Sequence, residues 1–164
     1  MTEVDQKLTR TGPSYCLVQK QRLPAPRSDV FEFFSNPYNL ETMTPDRRSF
    51  RVLSVEPEPV QAGTRIAYRL TVWWFVPMGW TSEITLWNPE EEFRDRMVEG
   101  PYASWLHVHR FEQQGEETLA VDEVEYRLPL DPLSRLVHPF TVGLDLKSLF
   151  RYRAERLEER FGSG

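Results

Sequence analysis

Residues 103–128 read ASWLHVHRFEQQGEETLAVDEVEYRL. Two runs with a period of two flank Gly115, which predicts an antiparallel hairpin. In the first run, residues 103–112, Trp105, His107, His109 and Phe111 share one face, and Leu106, Val108 and Arg110 share the other. In the second, residues 118–128, Ala120, Asp122, Val124, Tyr126 and Leu128 fall together. Placing both aromatic-rich faces on one side sets His109 opposite Asp122, His107 opposite Val124 and Trp105 opposite Tyr126. The hairpin then presents two histidines and an aspartate on an otherwise apolar wall. An aspartate there needs a partner, because an unpaired buried charge is costly, and an imidazole is the nearest one.

Upstream, the same period continues. Residues 50–55, 64–74, 80–87 and 93–99 read as strands, with turns at Pro77-Met78-Gly79, Asn88-Pro89-Glu90 and Gly100-Pro101. Ile66, Tyr68, Leu70, Val72 and Trp74 share a face, as do Trp80, Ser82, Ile84 and Leu86. Residues 15–23 form a weaker strand. Between it and residue 50, Pro26, Asp29 and the apolar group Val30, Phe31, Phe33 and Phe34 predict a short helix. A second short helix is predicted over residues 36–43, ended by Thr44-Pro45. Downstream, residues 131–142 are apolar and Pro-rich, with room for one helical turn. Leu146, Leu149, Phe150, Leu157 and Phe161 then recur at helical spacing, giving an amphipathic helix of about four turns with Asp145 as its N-cap. Consecutive strands with short turns imply an antiparallel meander of about seven strands. Only the last helix is long enough to cover it, and it cannot fill all the space within a curved sheet.

The chain has 164 residues, a formal charge of −5, 40% apolar and 13% aromatic residues. That describes one globular unit over residues 15–161, with polar tails at 1–14 and 162–164. The acidic balance argues against nucleic-acid binding. No apolar run is long enough for a membrane span, and the N-terminus has no signal-peptide core, so a cytoplasmic monomer or weak homodimer is expected. Cys16, the single cysteine, excludes an internal disulfide and a cysteine-cluster metal site.

Several stretches together resemble the SRPBCC superfamily of START-related and polyketide-cyclase-like domains, and within it a bacterial ligand-binding subfamily. They are Leu23-Pro24-Ala25-Pro26, Asn36-Pro37-Tyr38-Asn39-Leu40, Gly100-Pro101-Tyr102, the spaced Trp105, His107, His109 and Phe111, then Asp122, Val124 and Tyr126, and finally Phe150 and Arg153. Met97 departs from the pattern, which has glutamine there. The resemblance implies an α+β helix-grip fold, a curved antiparallel sheet wrapped round the C-terminal helix, with a pocket for a small molecule between them.

Residues expected to line that pocket are Tyr68, Leu70, Trp74, Trp80 and Ile84, then Asp95 and Met97. The hairpin adds Trp105, His107, His109, Asp122, Val124 and Tyr126, and the helix adds Leu149, Phe150 and Arg153. Four readings of the histidine–aspartate group stay open. It fixes the hairpin register, orients a polar group of an apolar ligand, performs acid–base chemistry through His107, His109 and Asp122, or holds a metal through both histidines with Asp95 or Asp122. With no HExxH motif and no cysteine cluster, neither metal nor cofactor is expected. Arg153 is placed to meet Asp95, Asp122 or a ligand carboxylate. Arg47, Arg48 and Arg51 read as a solvated turn, and His138 as a loop residue. The function expected is reversible binding of a small hydrophobic or amphipathic molecule. A cyclase- or dehydratase-like enzyme and a protein-interaction module are the alternatives.

Overall fold

The computed structural model describes residues 2–72 and 75–162. Eight strands form one antiparallel sheet: β1 (Val4–Thr11), β2 (Ser14–Leu23), β3 (Arg51–Glu56), β4 (Arg65–Val72), β5 (Val76–Asn88), β6 (Glu92–Glu99), β7 (Ser104–Gln114) and β8 (Glu117–Arg127). Their spatial order is β1-β2-β8-β7-β6-β5-β4-β3. Strands β3 to β8 are the expected meander. The chain makes one long crossing, from β2 to the far edge at β3. That crossing carries α1 (Arg27–Ser35), α2 (Asn39–Thr42) and a 3-10 turn at Asp46–Arg48. After β8 come α3 (Ser134–Val137), a second 3-10 turn at His138–Phe140, and α4 (Val142–Phe161). This is the helix-grip arrangement, with one strand more than the sequence suggested. Among the described residues, no helix is long and apolar enough to cross a membrane.

The extra strand is β1, read from sequence as part of a loose tail. It pairs with β2 from Val4–Gln21 to Thr11–Ser14, turning through Gly12 at φ +59°. Only Gln6 and Leu8 of this edge strand are half-buried, and one of the two is polar, so the period-two apolar signal was missing. Its Gln6 faces inward and takes part in a row of glutamines that hold α4. Gln6 Nε2 donates to the Lys147 carbonyl at 3.2 Å, Gln19 Nε2 to that of Phe150 at 2.9 Å, and Gln21 Nε2 to that of Ala154 at 2.9 Å.

Three other expectations change. Pro77-Met78-Gly79 is not a turn: Thr71 pairs with Pro77 and Val72 with Val76. Pairing of β5 to β6 begins only at Thr81, so Pro77 needs no donor on that side and is tolerated within the strand. Asp145 does not cap α4. Thr141 holds the N-cap position, and α4 begins three residues before Asp145, which lies in its first turn. His138 is not a loop residue in solvent: it is buried, stacked on Tyr15 at 3.6 Å, and its Nε2 shares a hydrogen bond with the Tyr126 hydroxyl at 2.6 Å.

The interior divides into two clusters. One joins α1 to the middle of the sheet through Phe31, Ile66, Ile84, Phe93, Phe111 and Leu157. The other packs Tyr15, Leu17, Val124 and Tyr126 against Leu146 and Phe150 of α4.

Candidate functional site

Between these clusters the sheet and α4 leave a cavity of about 130 Å3. The meander supplies its floor, and Leu146, Leu149, Phe150 and Arg153 of α4 supply its roof. Of the residues expected to line it, Tyr68, Leu70, Trp80, Ile84, Asp95, Trp105, His107, His109, Leu149, Phe150 and Arg153 do so. Asp122 borders a smaller adjoining pocket with His109 and Arg153. Val124 and Tyr126 do not line either one. They are fully buried in the second cluster, where the Tyr126 hydroxyl is taken by His138. Met97 turns toward Gly100 instead. Trp74 lies outside the described residues.

Sequence reasoning missed Phe34 and Leu40, which reach the cavity from the crossing helices and carry no strand periodicity. It also missed Trp87, because a register shift between Ile84 and Leu86 changes the face that follows. Arg48 and Asp145 were misassigned as solvated turn and helix cap. They form an ion pair at 2.7 Å in the cavity lining, with side-chain exposures of 8% and 20%. Most of the sheet separates the two residues along the chain, so no spacing reveals the pair.

The hairpin register is the one read from sequence: His109 opposite Asp122, His107 opposite Val124, Trp105 opposite Tyr126. Across β6, Asp95 pairs with His107 and Phe93 with His109. The polar side chains then interlock. His107 Nε2 donates to Asp122 Oδ1 at 2.9 Å, and His109 Nε2 donates to Asp95 Oδ2 at 3.2 Å. His109 Nδ1 lies 2.9 Å from Asp122 Oδ1. The two imidazoles lie 3.7 Å apart between centroids, tilted by 31°, and Phe93 stacks on the His109 ring at 4.1 Å. A relay extends the other way: Trp80 Nε1 donates to Ser82 Oγ at 3.0 Å, and Ser82 Oγ to Asp95 Oδ1 at 3.3 Å.

This geometry sets the charges. Burial opposes charge on His109, but contact with the carboxylates of Asp122 and Asp95 outweighs it and pushes the ring up to about 9. Burial and the charge of His109 hold His107 below its ordinary value, against the pull of Asp122. Burial pushes the two carboxyl groups upward, yet their histidine partners hold Asp122 and Asp95 below the usual carboxylate range. At neutral pH the cluster is therefore two carboxylates, one imidazolium and one neutral imidazole. Burial lowers the Arg153 guanidinium. Among the described residues Arg153 forms no ion pair. It lies over the Phe150 ring at 5.2 Å, with its Nε buried and unpartnered. Burial, then Asp95, pushes the Tyr68 hydroxyl far above the tyrosine range, so it remains a neutral donor.

Similar folds are found among solved structures. Ms6760 from Mycobacterium smegmatis matches with a TM-score of 0.67 at 16% identity, covering 98% of this chain and 99% of that one. TTHA0849 from Thermus thermophilus matches with a TM-score of 0.65 at 21% identity, covering 91% and 99%. StfQ, a di-domain ARO/CYC from the steffimycin biosynthetic pathway, matches with a TM-score of 0.68 at 11% identity, covering 90% of this chain and 51% of that one. No curated protein matches the chain by sequence. The family model for polyketide cyclase/dehydrase and lipid transport proteins matches residues 23–142. By that match, over more than half its length, the chain belongs to this family, within the SRPBCC superfamily.

Proposed function

We propose that this protein reversibly binds a small, largely apolar molecule between the sheet and α4, with one polar group of the ligand set against His107 and Asp95. The observation that carries this reading is the composition of the cavity wall. Aromatic and aliphatic side chains form most of it, and its charged groups are few: the histidine–aspartate cluster, Arg153 and the Arg48–Asp145 pair. Pockets with a few convergent polar groups bind by apolar burial and orient by those groups. A cavity of about 150 Å3 holds one benzene molecule, so the buried part of the ligand is of the order of one ring or a short alkyl segment. Each Å2 of apolar surface removed from water contributes about 25 cal/mol, and the rest of the affinity depends on how well the polar end is paired.

Native mass spectrometry of gently purified protein tests this directly, and a co-purifying mass is the expected result. Trp80, Trp87 and Trp105 border the cavity, so a bound aromatic acid or short fatty acid also changes tryptophan emission in a saturable way. Flat titrations across such compounds, with no co-purifying mass, overturn the reading.

A second reading has its own support. His107 is held neutral by burial and by the charge of His109, and is oriented by Asp122, while lining the cavity, which suits a general base. A cofactor-independent cyclase- or dehydratase-like reaction is consistent with that placement. It predicts that His107→Ala abolishes turnover while ligand still binds. Under the binding reading, the same substitution lowers affinity and there is no turnover to lose.

A further inference from the structure

We propose that Asp95, His107 and His109 form a binding site for one divalent first-row transition-metal ion of the zinc class, with Asp122 as the group that orients both imidazoles. One ligand atom from each of the three residues lies within 4.8 Å of the other two. The His109 Nε2 to Asp95 Oδ2 separation is 3.2 Å. With metal–ligand bonds of about 2.0–2.2 Å, the edge of a tetrahedral site is about 3.4 Å, so that pair already spans a coordination edge. An ion there takes the place of the proton that His109 shares with Asp95.

The absence of HExxH and of cysteine pairs argued against a metal at the level of sequence, but those are signatures of helices and ribbons. On a strand, His107 and His109 at i and i+2 project from one face of β7, and Asp95 is the cross-strand partner of His107 on β6. All three donors thus stand on paired strands. Asp122 completes the arrangement from β8. Its Oδ1 hydrogen-bonds His107 Nε2 at 2.9 Å and lies in ion-pair contact with His109 Nδ1 at 2.9 Å, so one carboxylate sits against both rings and each keeps a second nitrogen. Carboxylates that hold metal-bound imidazoles by their outer nitrogen occupy this position.

Charge and access agree. Among the described residues, neither Asp95 nor Asp122 has a lysine or arginine within ion-pair distance; their partners are the imidazoles. Two carboxylates with two neutral imidazoles match a dication. Two nitrogens and one oxygen suit zinc, iron, cobalt or nickel rather than magnesium or calcium, which prefer oxygen. The three donors border the cavity, which leaves coordination positions for water or for a polar group of whatever enters it. The metal site shares His107 and Asp95 with the polar end of the ligand proposed above, but its test needs no organic ligand and stands or falls separately.

The test uses the full chain carrying Cys16→Ser, so that the single thiol cannot bind metal, after treatment with chelator. Zn2+ is titrated calorimetrically, and Co2+ is followed by visible absorption. The expected result is one equivalent bound at micromolar or tighter affinity, with the visible bands of four- or five-coordinate Co2+. Asp95→Asn and His107→Gln each weaken binding at least tenfold, and Asp122→Asn does so about 10- to 100-fold. Where a variant loses its fold by circular dichroism, the parent protein still decides. On Zn2+ addition, ring 15N resonances of His107 and His109 shift while those of His138, the remaining histidine, stay fixed. Absence of a saturable equivalent, unchanged affinity in folded Asp95→Asn and His107→Gln, or unmoved His107 and His109 resonances overturns the proposal.

Discussion

Asp122 makes the consequences of burial easiest to see at the scale of one residue. Its carboxylate is 9% exposed and touches two imidazoles, one of them the His109 cation. Removing it leaves that cation facing Asp95 alone and frees His107 Nε2 inside the fold. Truncating one partner of a buried pair costs about 3–5 kcal/mol. Asp122→Ala is therefore expected to lower unfolding free energy by about 3 kcal/mol, measured by urea titration in the presence of chelator. Asp122→Asn keeps an acceptor for His107 and should lose less than half as much. The strict alternation of the hairpin made these neighbours legible in the sequence itself. Arg48 was not legible, because its partner Asp145 lies far along the chain and no local pattern links a 3-10 turn to the first turn of a distant helix. His138 was hidden for a similar reason. Its partners Tyr15 and Tyr126 come from β2 and β8, and an isolated histidine before a proline gives no hint of either.

At the scale of the element, α4 owes its position as much to polar contacts as to its apolar stripe. Gln19 and Gln21 are buried, at 3% and 2% exposure, and each donates to a helix carbonyl. A net contribution of about 1 kcal/mol per bond is usual. Gln21→Leu is expected to destabilise the protein by about 1 kcal/mol and to speed amide hydrogen exchange in the last two turns of α4. Exchange unchanged along α4 would remove the glutamines from this role. The helix itself was readable from its apolar spacing, and so were most strands of the meander. The row that fastens it was not, since glutamines alternating along a polar strand look like ordinary solvent-facing residues until a helix lies over them. Strand β1 escaped notice for the same reason.

For the whole molecule, the decisive feature is the order β1-β2-β8-β7-β6-β5-β4-β3. Strands β3 to β8 join their sequence neighbours, but β2 joins β8 along its full length, from Ser14–Arg127 to Leu23–Thr118. Pairings between such distant segments carry a loop-closure cost and slow folding. Refolding after dilution from urea is expected to fall in the millisecond-to-second range typical of non-local sheets, rather than in microseconds, as read by stopped-flow fluorescence. During translation the same order imposes a waiting period. Strands β1 and β2 can pair as soon as both have emerged, but the other edge of β2 finds β8 only after residue 127 is out, and α4, the roof over the pocket, follows still later. A nascent chain halted before that point holds half a wall and no chamber, so any small molecule can be captured only by the finished polypeptide.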